Sequence, residues 1–407
     1  MDESIEGFRA GIRTWLEQNC PPSMRLPMGQ DEVPWEGRFI ETLHPDAKLW
    51  RERLASRGLV APGWPKAYGG AELSKDEQEV LKGELRRIHA RPAVVGGGIP
   101  MFGSVFLDYG SEELRERFLP LIARGQIRWA TGFSEPGRGS DLAGLQTRAT
   151  REGDHYLVHG QKIWTSYADV ADWLFCAVRT DPNARKHEGI TILLIPIDAP
   201  GMKTTRIDMI SGTSHFCQVF LDGVRVPVGN RLGAEGQGWQ LIRRALENER
   251  EWVAEFLADG SSIFGLAESR PLPEMAREYE GSDQAGRIRD EGIRQAVAQC
   301  ELDSLCYELL SSRLEQSVTG GRVSGFATSV VKYLGAALTQ KKYELMTTIH
   351  GSQGVGWEGE GFSEDELRMT RAWLRSKANS IESGTSEIQL NVIAKRILGL
   401  PESGTRS

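Results

Sequence analysis

The sequence is poor in the features that would mark a disulfide scaffold or a zinc module. Its 407 residues include five cysteines, Cys20, Cys176, Cys217, Cys300 and Cys306. None stands in a CxxC pair, so neither a disulfide framework nor structural zinc is expected, and a reducing cytoplasm is the natural compartment. An excess of positive charge is also missing. The chain has 49 Lys+Arg against 56 Asp+Glu, a net charge of −7, and neutralising phosphates takes a basic surface, so nucleic-acid binding is not expected. Long apolar runs are absent as well. The longest, around Ile190 to Ile197, is strand-length and falls far short of the roughly 18–20 residues of a membrane span. The opening segment MDESIEGFRAGIRTWLEQNC is broken by charges and lacks the apolar core of a signal peptide, so none is expected. The 46 glycines follow no period, which excludes collagen-like and repeat architectures.

What is present is enough apolar material, 40% of residues, for about two to three domains at roughly 100–200 residues each. The texture runs α, then β, then α. Over residues 1–125 the signals are helical. Ser74-Lys75-Asp76-Glu77 fits a capping box, with Val80, Leu81, Leu85 and Ile88 behind it at helical spacing. Ser111-Glu112-Glu113 opens a second helix carrying Leu114, Phe118, Leu121 and Ile122. Between them, Ala61-Pro62-Gly63-Trp64-Pro65 and Tyr68-Gly69-Gly70 make a loop that no helix can cross. Over 126–238 short β-branched and aromatic runs predict strands at His155–Val158, Trp173–Val178, Ile190–Ile195 and Cys217–Leu221. No helix-length crossover separates them, so a sandwich or barrel-like domain is expected rather than βαβ units. From Trp239 the helical pattern returns and fills 239–407, interrupted near Pro271–Pro273 and Gly351–Gly361.

Three segments could carry chemistry. Ser134-Glu135-Pro136-Gly137-Arg138-Gly139-Ser140-Asp141 is a tight loop with exposed backbone N–H groups, suited equally to a solvated turn or to a ligand. Gly160-Gln161-Lys162-Ile163-Trp164-Thr165-Ser166 sets an indole before two hydroxyls, and a strand tryptophan reads first as a core anchor. Glu382-Ser383-Gly384-Thr385-Ser386-Glu387-Ile388-Gln389 makes a helix start, with Leu390, Ile393, Ile397 and Leu400 as its apolar stripe. Such a terminus either attracts phosphate or is simply a capped helix.

In this order, inside an α–β–α chain, the three segments strongly resemble the acyl-CoA dehydrogenase family. The resemblance runs from the Trp64-Pro65 loop to the terminal Leu398-Gly399-Leu400-Pro401. It implies an α+β fold: an N-terminal helical domain, a central β-barrel or sandwich domain and a C-terminal four-helix-bundle domain. It further implies FAD as cofactor, an acyl-CoA substrate, an electron-transferring flavoprotein or similar acceptor, and a homo- or hetero-oligomer built as a dimer of dimers. Phe133 and Ser134 would lie along the flavin, Ser140 near its diphosphate or the acyl-CoA, and Trp164 and Ser166 along the flavin's other side. Thr385 and Glu387 would reach the dinucleotide, although glutamine is commoner where Glu387 stands. Gly351 and Gly354 resemble the glycine pair through which a neighbouring subunit approaches the adenine half.

The chemistry implied is removal of an α-proton by a carboxylate and of the β-hydrogen as hydride by the flavin, giving a trans-2-enoyl-CoA. The thioester α-proton is too weakly acidic for a solvated carboxylate, so the site must raise the base's pKa and polarise the carbonyl. In many members the base is the glutamate before the terminal Gly-Thr. Here that residue is Ser383, which cannot take the proton unaided. Glu249 matches the alternative base of the isovaleryl-CoA branch, and Arg250 the arginine beside it that supports the coenzyme A tail. As bare residues, Glu247, Glu249, Arg250 and Glu251 also fit a solvated charge run. Glu382 is the fallback base. A second departure is the absence of the Arg-x-Gln-Phe-Gly sequence of homomeric members, where this chain has Phe264-Gly265-Leu266-Ala267-Glu268-Ser269-Arg270. Two alternatives follow from these departures: a noncatalytic or half-catalytic subunit of a heteromer, of the kind that handles bulky steroid side chains, and a same-fold flavin oxidase or monooxygenase.

Overall fold

The computed structural model describes residues 3–29, 32–38, 44–258, 270–319 and 327–401. Of these, the side chains of 250, 251, 253–258 and 315–319 are outside the description. The chain forms two compact units, one of Met1–Ile207 with His215–Glu249 and one of Asp208–Ser214 with Arg250–Ser407.

The first unit opens with helices α1 (Glu3–Asn19), α2 (Pro45–Ser56), α3 (Lys75–Arg87), α4 (Ser104–Tyr109) and α5 (Glu112–Ala123). The caps fall where the sequence puts them. Ser74 Oγ accepts from Glu77 N while the Glu77 carboxylate accepts from Ser74 N, closing the capping box on α3. Ser111 Oγ accepts from Leu114 N at the start of α5. The Pro/Gly loop puts Trp64 against Gly103, where a Cβ would come 1.9 Å from the indole, so only glycine fits. Gly103 closes a π-helical turn, Gly98–Gly103, that leads into α4.

The strands are β1 (Trp129–Gly132), β2 (Arg148–Glu152), β3 (His155–Ser166), β4 (Trp173–Arg179), β5 (Ile190–Pro196), β6 (Met202–Arg206), β7 (Phe216–Pro227) and β8 (Arg231–Leu232). They join in one mixed eight-stranded sheet of order β6-β7-β3-β2-β4-β5-β8, with β1 parallel to β4. The sheet curls around its own interior. Tyr156 and Val158 of β3 and Val219, Val224 and Val226 of β7 share one buried cluster with Leu174, Cys176 and Val178 of β4 and Leu193 and Ile195 of β5. The alternate residues Phe175, Ala177, Ile190, Ile192 and Leu194 face the helical layer and pack with Phe102, Phe106, Phe118 and Ile122. Burial on both faces explains why β4 and β5 read as unbroken apolar runs.

Helix α6 (Gly238–Ala258) follows the sheet. Leu241, Ile242 and Ala245 are fully buried on the same helical-layer core. The unit boundary falls within α6, between Glu249 and Arg250. The second unit contains α7 (Leu272–Glu280), α8 (Glu291–Thr319), α9 (Thr328–His350), α10 (Glu364–Ser376) and α11 (Ser386–Val392). Its core draws Leu272, Met275 and Ala276 from α7, Val297 and Cys300 from α8, Tyr343, Met346 and Ile349 from α9, and Met369 from α10. The stripe Leu390, Ile397 and Leu400 stays exposed in the chain. Among the described residues, no helix is long and apolar enough to cross a membrane, and no cluster of His, Cys, Asp or Glu could hold a metal.

Candidate functional site

In the first unit the loop after β1 is fastened to β3 by a buried ion pair. The Lys162 side chain is fully buried, and its Nζ donates to Glu135 Oε1 at 2.9 Å and to Phe133 O at 3.2 Å. The Glu135 carboxylate also accepts from Gln146 N at 2.7 Å and Thr147 N at 2.8 Å. Burial alone would push this carboxyl up, but Lys162 and the Thr147 hydrogen bonds outweigh it and hold the group below its ordinary value. A further tie to β3 runs from Ile163 N to Ser134 O at 2.9 Å. The loop is therefore built in, with its carboxylate spent internally. Phe133 keeps its ring in the core, edge-on to Phe175 at 5.9 Å. Ser134 is half-buried beside it and Ser140 is exposed farther along.

Trp164 sits on a bulge. The pairing of β3 with β7 shifts between Lys162 and Thr165, and Trp164 has φ +58°, a left-handed conformation that costs a bulky residue energy. The extra residue inverts the facing of the strand. Tyr156, Val158 and Lys162 point inward, whereas beyond the bulge Thr165 is buried and Trp164 and Ser166 turn outward. The indole is 54% exposed and rests edge-on against Phe216. It is thus displayed, and the core-anchor expectation for a strand tryptophan does not hold here.

On α6, Glu249 is half-buried at the end of the helical stretch packed in this unit. The residue before it, Asn248, is 6% exposed and donates from Nδ2 to Met101 O at 2.9 Å and Ser104 Oγ at 2.7 Å. Arg250 lies next on the helix, and its side chain is outside the described residues. So is the stretch from Phe264 to Ser269.

In the second unit Ser383 and Gly384 are consecutive left-handed residues, φ +51° and +90°. Lys332 Nζ donates to Gly384 O at 2.7 Å, and Gln389 Nε2 donates to Ser383 O at 3.1 Å and Gly384 O at 3.3 Å. Burial lowers the pKa of Lys332, with Glu382 and Glu387 pulling the other way. Thr385 caps α11 through Ile388 N, as the sequence predicts, and Glu387 is exposed. α11 itself is only seven residues long and continues as a π-helical turn, Ile393–Ile397. Glu382 is committed elsewhere, because Arg375 grips both of its oxygens at 2.7 and 3.3 Å. Gly351 is exposed with φ +55° and open space where a Cβ would stand. Gly354 is buried, and a Cβ there would meet Thr347 O of α9 at 2.5 Å, so its packing against α9 already requires glycine.

Comparison with known proteins places the chain. Residues 2–126, 130–224 and 236–398 match the N-terminal, middle and C-terminal domain models of acyl-CoA dehydrogenases. Acyl-CoA dehydrogenase FadE29 of Mycobacterium tuberculosis is 41% identical over 400 residues, covering 97% of this chain and 96% of that one. The chain belongs to the acyl-CoA dehydrogenase family. It is accordingly an oxidoreductase of a generally FAD-dependent family. Among solved structures, the steroid ACAD Tcur3481-Tcur3483 is similar with 28% identity and a TM-score of 0.71, covering 99% of both chains. The ChsE4-ChsE5 complex from Mycobacterium tuberculosis is 30% identical with a TM-score of 0.68, again covering 99% of each.

Within this acyl-CoA dehydrogenase, motif reading assigns roles to residues such as Trp164, Ser166 and Glu387, which face outward, and none to the residues that hold them in place. Asn248 and Lys332 lie outside the three segments, and Glu135, Lys162 and Gln389 lie inside them without a role assigned. For Lys162 a signal existed, since it shares strand parity with Tyr156 and Val158. For Asn248 the signal was its place on the helix face of Leu241, Ile242 and Ala245.

Proposed function

We propose that the enzyme dehydrogenates an acyl-CoA thioester at its α and β carbons, with FAD as cofactor and Glu249 as the base. The single observation that carries the base assignment is that the two alternatives are disabled: Ser383 is a serine, and the Glu382 carboxylate is held by Arg375 through two hydrogen bonds. Glu249 is half-buried directly after an anchored residue.

The residues present fit a flavin. Trp164 offers an exposed aromatic face on a bulge, with the Ser166 hydroxyl exposed two positions on. Ser134 lies on a loop that cannot drift because Lys162 and Glu135 pin it. In the second unit Thr385 and Glu387 follow a clamped turn, and Gly351 leaves open space. FAD, when bound, would supply the hydride acceptor for the β-hydrogen. Trp164 and Ser166 orient the ring system, Ser140 and Arg250 serve the acyl-CoA, and Glu249 takes the α-proton.

The substrate reading is a bulky, steroid-like acyl group. It rests on the steroid ACAD among the similar structures. A second reading, a chain working within a heteromer, is favoured by two observations. Both similar structures pair two differently named proteins. The chain also exposes Leu302, Leu305 and Leu309 along one side of α8, an apolar strip of the kind that partner chains cover.

The test uses yellow, purified protein, alone and co-expressed with adjacent homologous chains. It is assayed with an artificial electron acceptor on butyryl-CoA, isobutyryl-CoA, cyclohexanecarbonyl-CoA and a steroid 20-carboxyl-CoA. Glu249→Gln should abolish turnover with flavin retained, and undiminished activity in that variant would sink the base assignment.

A further inference from the structure

Asn248 is a buried polar residue on an apolar helix face. Leu241, Ile242 and Ala245 precede it on α6 and are wholly buried. An amide at such a position is costly unless its hydrogens are used. Both are used here, one on Met101 O and one on Ser104 Oγ, at 2.9 and 2.7 Å. These acceptors belong to the π-helical turn Gly98–Gly103 and the first residue of α4.

That turn is fixed from two further directions. Trp64 fills the space beside Gly103, leaving no room for even a methyl group. Glu36 accepts from Gly98 N at 3.0 and 3.2 Å, and a Cβ on Gly98 would come 2.6 Å from its carboxylate. The turn is thus a rigid post, and Asn248 ties α6 to it at one residue.

We infer that Asn248 is a positioning residue that sets the place of the Glu249 carboxylate. The inference rests on the reading of Glu249 as base. Successive helix residues are fixed relative to each other, so a slide or rotation of α6 at Asn248 moves Glu249 by the same amount. Proton abstraction from carbon needs near-contact geometry, and a misplacement of about 1 Å costs about 10²-fold in rate. An apolar residue at 248 would fill the space but would make no directional tie to the turn.

The test uses the FAD-loaded enzyme and the variants Asn248→Ala, Ser104→Ala and Ser104→Thr. Crystal structures report the position of the Glu249 carboxylate. Kinetics use the thioester of the panel above that is turned over fastest, with and without deuterium at its α-carbon. In N248A the carboxylate should move or lose its single position. Turnover should fall about 100-fold with KM changed less than about threefold, and the α-deuterium isotope effect should rise. S104A should show about a tenfold loss, S104T should restore the rate, and N248A/S104A should be no worse than N248A. The flavin spectrum should be unchanged throughout. S104A keeps the test open should N248A fail to fold. An unmoved Glu249 carboxylate with turnover within about threefold of wild type in these variants would overturn the inference. The reading beneath it fails separately, by activity in E249Q, and in that case the crystal structures still decide whether Asn248 places Glu249.

Discussion

The Lys162 ammonium lies 2.9 Å from a Glu135 carboxylate oxygen with both side chains withdrawn from solvent, and this pair fastens the loop of Phe133 and Ser134 to the strand that bears Trp164. Removing one partner of a buried pair leaves the other charge without compensation, at about 3–5 kcal/mol. Lys162→Met should therefore lower the melting temperature markedly and release flavin. The pH dependence has a definite sign. The Glu135 carboxyl is held below its ordinary 4.5, so the pair's stabilisation is present above that value and is lost as pH falls through the folded value. The gap in melting temperature between wild type and K162M should be widest at neutral pH and narrow below about pH 4.5.

Glu36 predicts the opposite slope. It is 3% exposed, and burial pushes its carboxyl from 4.5 up to about 7, against the hydrogen bond from Gly98 and the charge of Arg128. The folded state then holds a proton that the unfolded chain releases, so stability falls as pH rises from about 4.5 to about 7 and levels off above. A shift of that size corresponds to about 3 kcal/mol. Glu36→Gln keeps an acceptor for Gly98 N and has no proton to lose. The variant should melt higher than wild type at pH 8 and show little difference at pH 5, as read by calorimetry across that range.

The two candidate carboxylates separate cleanly by mutation. Glu382 is paired with Arg375, whose side chain is only 10% exposed, and its role is to fasten the turn before Gly384. Glu382→Gln should retain turnover within about tenfold, whereas Glu249→Gln should lose at least about 10³-fold with flavin bound, as general-base removal does. Steady-state rates with equal flavin loading decide between them. If E382Q is the inactive variant, the base is misassigned.

Much of the fold was legible because local chemistry and burial agree. The capping box at Ser74–Glu77, the doubly buried runs Trp173–Val178 and Ile190–Ile195, and the Gly384–Thr385 helix start stand where their residues predict. The site was legible in outline only. A single bulge reverses strand parity after Lys162, so Trp164, which alternation from Tyr156, Val158 and Lys162 would turn inward, is displayed instead. Period-two reasoning has no term for an inserted residue. For Asn248 only its burial was legible, from its place on the apolar face of α6: its partners lie 147 and 144 positions away, and nothing local marks such pairing.

Lys332, in the second unit, bears on the terminal motif. Ser383 has no glycine's freedom, yet it holds φ +51° next to Gly384 at +90°, a conformation costing on the order of 1–3 kcal/mol that persists only where its surroundings enforce it. Lys332 and Gln389 enforce it by binding the carbonyls of both residues. Lys332→Met removes the ammonium that reaches Gly384 O while preserving most of the side-chain volume. The turn should then relax toward ordinary backbone angles, and Thr385 and Glu387, two residues apart beyond it, should lose their fixed direction. Flavin retention should weaken by at least about tenfold, read as fluorescence released on dilution, with a melting temperature for the flavin-free protein close to that of wild type. Lys332→Arg, which keeps a donor to the same carbonyl, should recover most of the affinity. Unchanged retention in K332M would show that the turn holds without its clamp and that the terminal motif is not what grips the dinucleotide.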